Sequence, residues 1–158
     1  MSILLEETLL KILRLILREF EAWSSGESKE KPLIIKIHDK VIANNAESEQ
    51  GIINSDNIGI AIYSAIEDLN QNHDVSRSLA VLIYHLIVSH PFVDGNKRTA
   101  LGLLLHILHE MCNDIITIPP ASMELLLKTL AEVADYSPEE DEYAINKIRE
   151  IIRQIIRD

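Results

Sequence analysis

The residues of this chain that could do chemistry crowd into eleven positions, "HPFVDGNKRTA", His90 to Ala100. His90, Phe92 and Asp94 stand at every second position, Gly95 and Asn96 follow, Lys97 and Arg98 are basic, and an apolar periodic run begins after them. Where a helix starts near Asn96, its first backbone N–H groups lack intrahelical acceptors and point back into the loop, and the helix dipole adds partial positive charge. That is an anion site. Gly95 lets the backbone approach a ligand closely, Lys97 and Arg98 add full charges, and the Asn96 amide is suited to a phosphate oxygen. Asp94 alone would repel a phosphate. A Mg²⁺ ion removes the conflict, because Mg²⁺ is commonly held by one or two carboxylates together with substrate phosphates and water. A histidine released from the preceding helix, as His90 is expected to be, has the chemistry to take the proton of an attacking hydroxyl. Phe92 points the other way in the alternation and is expected to bury itself, pinning the loop to the core. Taken one by one these residues have plainer uses: a histidine after a core helix is usually structural, an Asp-Gly pair is usually a turn, and basic residues at a helix start are usually solvated. Their ordered combination describes phosphoryl or nucleotidyl transfer.

The elements that must position this loop are read from apolar periodicity. From Ser76 to Val88 the chain is nearly all apolar, and Leu79, Leu82, Ile83, Leu86 and Ile87 predict a central buried helix. Pro91 disfavours helical geometry for His90, so that helix should break where the unusual segment begins. After Gly95, Leu101, Leu104, Leu105, Leu108, Met111 and Cys112 trace a second periodic face. Two core helices thus flank a short loop. Upstream, Ser2 to about Trp23 reads as an amphipathic helix with Ser2 as N-cap, and the polar stretch Ser24 to Lys31 reads as a connector. Residues 1–31 therefore stand apart as a helix and connector, with 32–158 as the main domain. Pro32 is acceptable as a first helical residue, and Ile34, Ile37, Val41 and Ile42 favour a helix over a strand for "LIIKI". Asn44 to Asn57 is polar, contains Gly51 and reads as a loop or short hairpin with Ile52 and Ile53 as its apolar anchors. Ser55 or Asp56 then caps a helix carrying Ile58, Ile62, Ala65, Ile66 and Leu69. Beyond "TIPPAS", helices are expected over about Met123 to Ala134 and, opened by the capping box "SPEE", over about Pro138 to Arg157. The fold class is all-α.

Composition sets the outer bounds. A chain of 158 residues supports one compact domain, and 47% hydrophobic with only 4% aromatic residues requires an aliphatic core. A net charge of −10 leaves no basic footprint for nucleic acid and opposes attraction to anionic membranes. The single cysteine, Cys112, forms no internal disulfide and suits a reducing cytoplasm. Glu6, Glu7, Lys11, Arg14 and Arg18 interrupt the apolar start, which argues against both a signal peptide and a membrane span.

"HPFVDGNKRTA" resembles the signature loop of the Fic/Doc superfamily: His, any residue, Phe, any residue, Asp or Glu, Gly or Ala, Asn, Gly or Lys, Arg. "KIHDKVI", Lys36 to Ile42, also resembles the family's opening helix. The resemblance implies a compact Fic/Doc-like helical bundle in which a central helix, the loop and the following helix form the active site. It implies ATP and Mg²⁺ as cofactors, His90 as general base, Phe92 as buried anchor, Asp94 as metal ligand, and Gly95, Asn96, Lys97 and Arg98 as the phosphate cradle. The segment with Ile52 and Ile53 falls where family members carry a flap that docks the target by strand addition.

The group transferred is a separate question. Members that transfer AMP usually have Gly where Lys97 stands and Arg where Leu101 stands. The lysine resembles the Doc branch, toxins that transfer the terminal phosphate to a threonine of elongation factor Tu and are neutralised by an antitoxin protein. Phosphorylation of a Ser/Thr hydroxyl is thus the first expectation, AMP transfer the second, and a non-catalytic module that binds nucleotide or a partner the third. Self-restrained members carry an inhibitory Ser or Thr followed four residues later by Glu; Ser2 with Glu6 is the nearest match, with Glu7 in the position of the final Gly or Asn. The first helix serves otherwise as extra core or as a homodimer contact. His106, His109 and Glu110 lie within a helical turn and read as a solvated face rather than a metal site. His38 and Asp39 are drawn toward the cleft only by the family likeness.

Overall fold

The computed structural model of the protein describes residues 3–44, 51–112 and 117–156. Ser2, expected as a helix cap and compared above with an inhibitory serine, lies outside the described residues, as do residues 45–50 of the expected flap. Seven α-helices are described: α1 Ile3–Ser24, α2 Leu33–Ala43, α3 Asp56–Asn72, α4 Val75–Val88, α5 Asn96–Met111, α6 Pro120–Val133 and α7 Asp141–Ile156. A single 3₁₀ turn, Pro138–Glu140, precedes α7. There is no sheet among the described residues, and the all-α expectation holds. One isolated antiparallel bridge joins Ile52 to Phe92.

Helix α4 is buried on nearly every side, from Val75 through Leu79, Leu82 and Ile83 to Ile87, and packs against α3, α5 and α7. Asp74 caps it, accepting from the Arg77 backbone N–H at 2.9 Å. The same carboxylate takes Arg149 of α7 at 2.8 Å. Arg77 in turn donates to Asp68 of α3 and to Glu142 of α7, so one end of the central helix is tied to both neighbours by charge-assisted bonds. Helix α1 shares the same core: Leu9, Leu13, Ile16 and Phe20 are buried in the continuous aliphatic cluster. Glu6 meets His73 Nδ1 at 2.6 Å, where His73 closes α3 in left-handed backbone.

Two boundaries differ from the sequence reading. Ser55 has helical backbone and makes no capping bond, and α6 begins at Pro120, where Pro occupies the first turn, rather than at Met123. The Ser137–Glu140 capping box forms as expected, with Ser137 and Glu140 satisfying each other's backbone.

For the loop, the decisive contact is α2 on α5. A Cβ at Gly102 would stand 2.8 Å from Ile37 Cγ2, so the missing side chain lets α2 lie close along α5. That approach carries His38, Val41 and Ile42 to the start of α5.

Candidate active site

Helix α4 ends at Val88, and Ser89 caps it by donating its N–H to the His85 carbonyl at 3.1 Å. The chain then turns at His90, whose φ of 46° lies in the left-handed region. The following proline disfavours the right-handed helical alternative, and histidine is among the residues that tolerate this region. Neighbouring groups hold the turn in place. Asn57 Nδ2 donates to the Ser89 carbonyl at 2.9 Å and Asn54 Nδ2 to the His90 carbonyl at 3.2 Å. The Ile53 and Asn54 N–H groups both donate to the Pro91 carbonyl, at 2.8 and 3.1 Å.

Phe92 is 1% exposed, and its backbone is closed by Asn96. Asn96 Oδ1 accepts from Phe92 N–H at 3.0 Å, while Nδ2 donates to the Phe92 carbonyl at 3.0 Å. Beyond it, His38 Nε2 meets the Asp94 carbonyl at 2.8 Å. The carbonyls of residues 89, 90, 91, 92 and 94 are therefore all engaged by protein donors, which removes partial negative charge from the loop's ligand side. Gly95, with φ 81°, caps α5 without a side-chain bond. A Cβ there would stand 3.2 Å from both Val41 Cγ1 and Ile42 Cδ1. Backbone and space both call for glycine.

On the ligand side lies a cavity of about 280 Å³ lined by His90, Asp94, Gly95, Asn96, Lys97 and Arg98, with Ile87, Val93 and Ala134 as apolar walls. Six of the residues singled out by type and spacing thus meet around one hollow. Phe92 lies in the core instead, and Ile52 and Ile53 sit beside the loop with exposed side chains. Lys97 and Arg98 are exposed. Arg98 Nη2 stands 3.8 Å from Asp94 Oδ1, and the same oxygen accepts from Gly95 N–H at 2.7 Å. The first turn of α5 directs its amide hydrogens toward this end. A cleft of about 740 Å³ between α1 and α3 is larger, but its lining sets the carboxylates of Glu21, Glu27 and Asp56 against the one cation of Arg18 and holds no histidine, which suits a phosphate poorly.

Among the described residues no group of three His, Cys, Asp or Glu side chains could hold a metal ion. Asp94 fits Mg²⁺ as a lone carboxylate beside a phosphate cradle, the arrangement in which the other ligands come from phosphate and water. His106 is paired with Glu110 at 2.8 Å on the surface of α5. Asp39 binds Lys31 at 2.8 Å, and with His38 it lines a separate cleft of about 510 Å³ beside Gly51 and Ile52. No helix among the described residues is long and apolar enough to cross a membrane.

Sequence reasoning missed Asn54, Asn57 and Ala134. The two asparagines read as loop polarity, and their partners lie 36 and 32 residues away. Ala134, at the end of α6, carries no chemical signal at all.

The Fic/DOC family model matches residues 3–108, from α1 through most of α5 and including the whole loop. Comparison with curated proteins and with solved structures gave no match. With six of the signature residues gathered at one cavity, Phe92 buried behind them, and the family model matched over α1 to α5, the chain belongs to the Fic/DOC family, whose members generally transfer nucleotide-derived groups to proteins.

Proposed function

We propose that the protein transfers the terminal phosphate of ATP to a Ser or Thr hydroxyl of another protein. The observation that carries this reading is the single cavity lined by His90, Asp94, Gly95, Asn96, Lys97 and Arg98. A triphosphate in that cavity meets the amide hydrogens that open α5 and the cations of Lys97 and Arg98. The acceptor hydroxyl attacks the terminal phosphorus, its proton passes to the His90 imidazole, and the bond from that phosphorus to the bridging oxygen breaks to release ADP. Asp94 would hold Mg²⁺, which when bound neutralises charge on the phosphates. The exposed Ile52 and Ile53, on a segment already bonded to the loop through Gly51, Ile53 and Asn54, support this stretch as the place where a target chain adds in extended form.

AMP transfer is the competing reaction. It proceeds by attack on the α phosphorus with diphosphate as the leaving group. Lys97 at the cavity and Leu101, half-buried against the core, favour the first reading, because AMP-transferring members usually carry Gly and Arg at these two positions and an apolar Leu101 cannot supply that arginine's charge. ATP labelled at either the α or the γ phosphate, incubated with the protein and a cell extract, separates the two. Label from γ alone on a protein supports phosphorylation, and label from α replaces it with AMP transfer. With neither label, the protein is a binding module.

A further inference from the structure

We propose that His38 is a positioning residue for this reaction: from α2 it fixes the peptide between Asp94 and Gly95, and through that peptide it aims the Asp94 carboxylate into the cavity. The inference rests on the transferase reading above and adds a residue outside the signature loop.

His38 is 4% exposed, although it stands among Ile34, Ile35 and Ile42 on the buried face of α2. Its ring lies flat on Phe92, with centroids 3.7 Å apart and planes 8° from parallel. Nε2 lies 2.8 Å from the Asp94 carbonyl. A carbonyl only accepts, so Nε2 carries the hydrogen. An aliphatic side chain would fill this space without the cost of burying a polar ring, so packing alone gives no reason for a histidine here.

The bonded peptide is the one from which α5 departs. Its carbonyl is held by His38, and its N–H, that of Gly95, donates to Asp94 Oδ1 at 2.7 Å. The carboxylate is therefore oriented by the plane of a peptide that His38 fixes. Gly95, at φ 81°, has the rotational freedom to let that plane swing if the bond is lost. His38 does not line the His90 cavity, so it acts through Asp94 and touches no substrate.

Two variants separate the bond from the packing. His38→Phe keeps the stacked ring and loses the donor, whereas His38→Gln loses the ring but keeps an amide N–H at similar reach. With ATP labelled at the phosphate that wild type transfers, His38→Phe is expected to label extract proteins about 10- to 100-fold more slowly at saturating ATP, the scale of a small misplacement of reacting groups. His38→Gln is expected to recover most of that loss. Amide hydrogen exchange at Gly95, which requires no activity, is expected to be about tenfold faster in His38→Phe and close to wild type in His38→Gln. Wild-type labelling and exchange in His38→Phe overturn the proposal, as does a His38→Gln variant no better than His38→Phe in either readout. A wild-type protein that transfers no label sinks the transferase reading alone, and the Gly95 exchange comparison then decides the role of His38.

Discussion

Asn96 grips Phe92 by both ends of its carboxamide, accepting from the Phe92 N–H and donating to the Phe92 carbonyl at 3.0 Å each. A side chain suited to a phosphate oxygen is thus also the clasp that closes the loop, and the rest of the phosphate site depends on it. Replacing Asn96 with Ala removes both bonds and leaves two backbone groups of a largely buried residue without their partner, a loss of about 1–3 kcal/mol. Asn96→Asp keeps the acceptor but sets a carboxylate oxygen against the Phe92 carbonyl and adds negative charge where phosphate should bind. Urea unfolding is expected to rank wild type above both variants, and ATP binding by calorimetry is expected to be weakest in Asn96→Asp.

Gly95 is the second clasp. Its left-handed backbone costs an L-residue about 1–2 kcal/mol, and a Cβ would crowd Val41 and Ile42 at 3.2 Å. Gly95→Ala is expected to lower the urea midpoint and to weaken ATP binding together, because the same displacement moves the start of α5. An unchanged binding constant in a destabilised variant would separate the loop from the phosphate site.

Much of this arrangement was legible before any coordinates. Regular spacing of Leu and Ile marked α4 and α5, and Pro91 and Gly95 marked the break between them. The motif residues were legible because their types are unusual in an acidic, aliphatic chain. Asn54 and Asn57 were not, because their meaning lies in bonds to residues 36 and 32 positions away, and a polar residue in a polar stretch gives no sign of its partner; His38 was drawn toward the cleft by the family likeness alone, and its bond to Asp94, 56 positions on, left no trace in the sequence. Polarity gave Asn44 to Asn57 its reading as a loop, while the backbone bonds of Gly51, Ile53 and Asn54 to Pro91 and Val93 leave no mark in side-chain type. The start of α6 was set too late because Pro119 and Pro120 read as a loop, although Pro is favoured in a helix's first turn.

Helix α1 belongs to the core by its contacts. Leu13 is fully buried, and Leu13→Ala is expected to cost about 2–5 kcal/mol of unfolding free energy. Chemical denaturation checks this. A loss under about 0.5 kcal/mol, the range of surface substitutions, would mark α1 as a detachable appendage.

His85 makes stability depend on pH. Burial lowers its imidazole pKa below the ordinary 6.5, outweighing the opposite pull of Asp141. The unfolded chain therefore binds this proton more readily than the folded one, so stability falls as pH drops through about 6.5 and levels off below the folded value. Urea midpoints between about pH 7 and pH 5 are expected to fall more steeply for wild type than for His85→Asn. Parallel curves would mean that His85 is as easily protonated in the folded protein as in the unfolded chain.

The most direct test of the account is the rate at which a His90→Ala variant transfers label from ATP to protein, with ATP affinity measured beside it by calorimetry. The account predicts affinity within about threefold of wild type, because the cradle of Gly95, Asn96, Lys97 and Arg98 is intact, and transfer reduced about 10²- to 10⁴-fold, the usual contribution of a positioned base. Transfer at the wild-type rate by His90→Ala would contradict it.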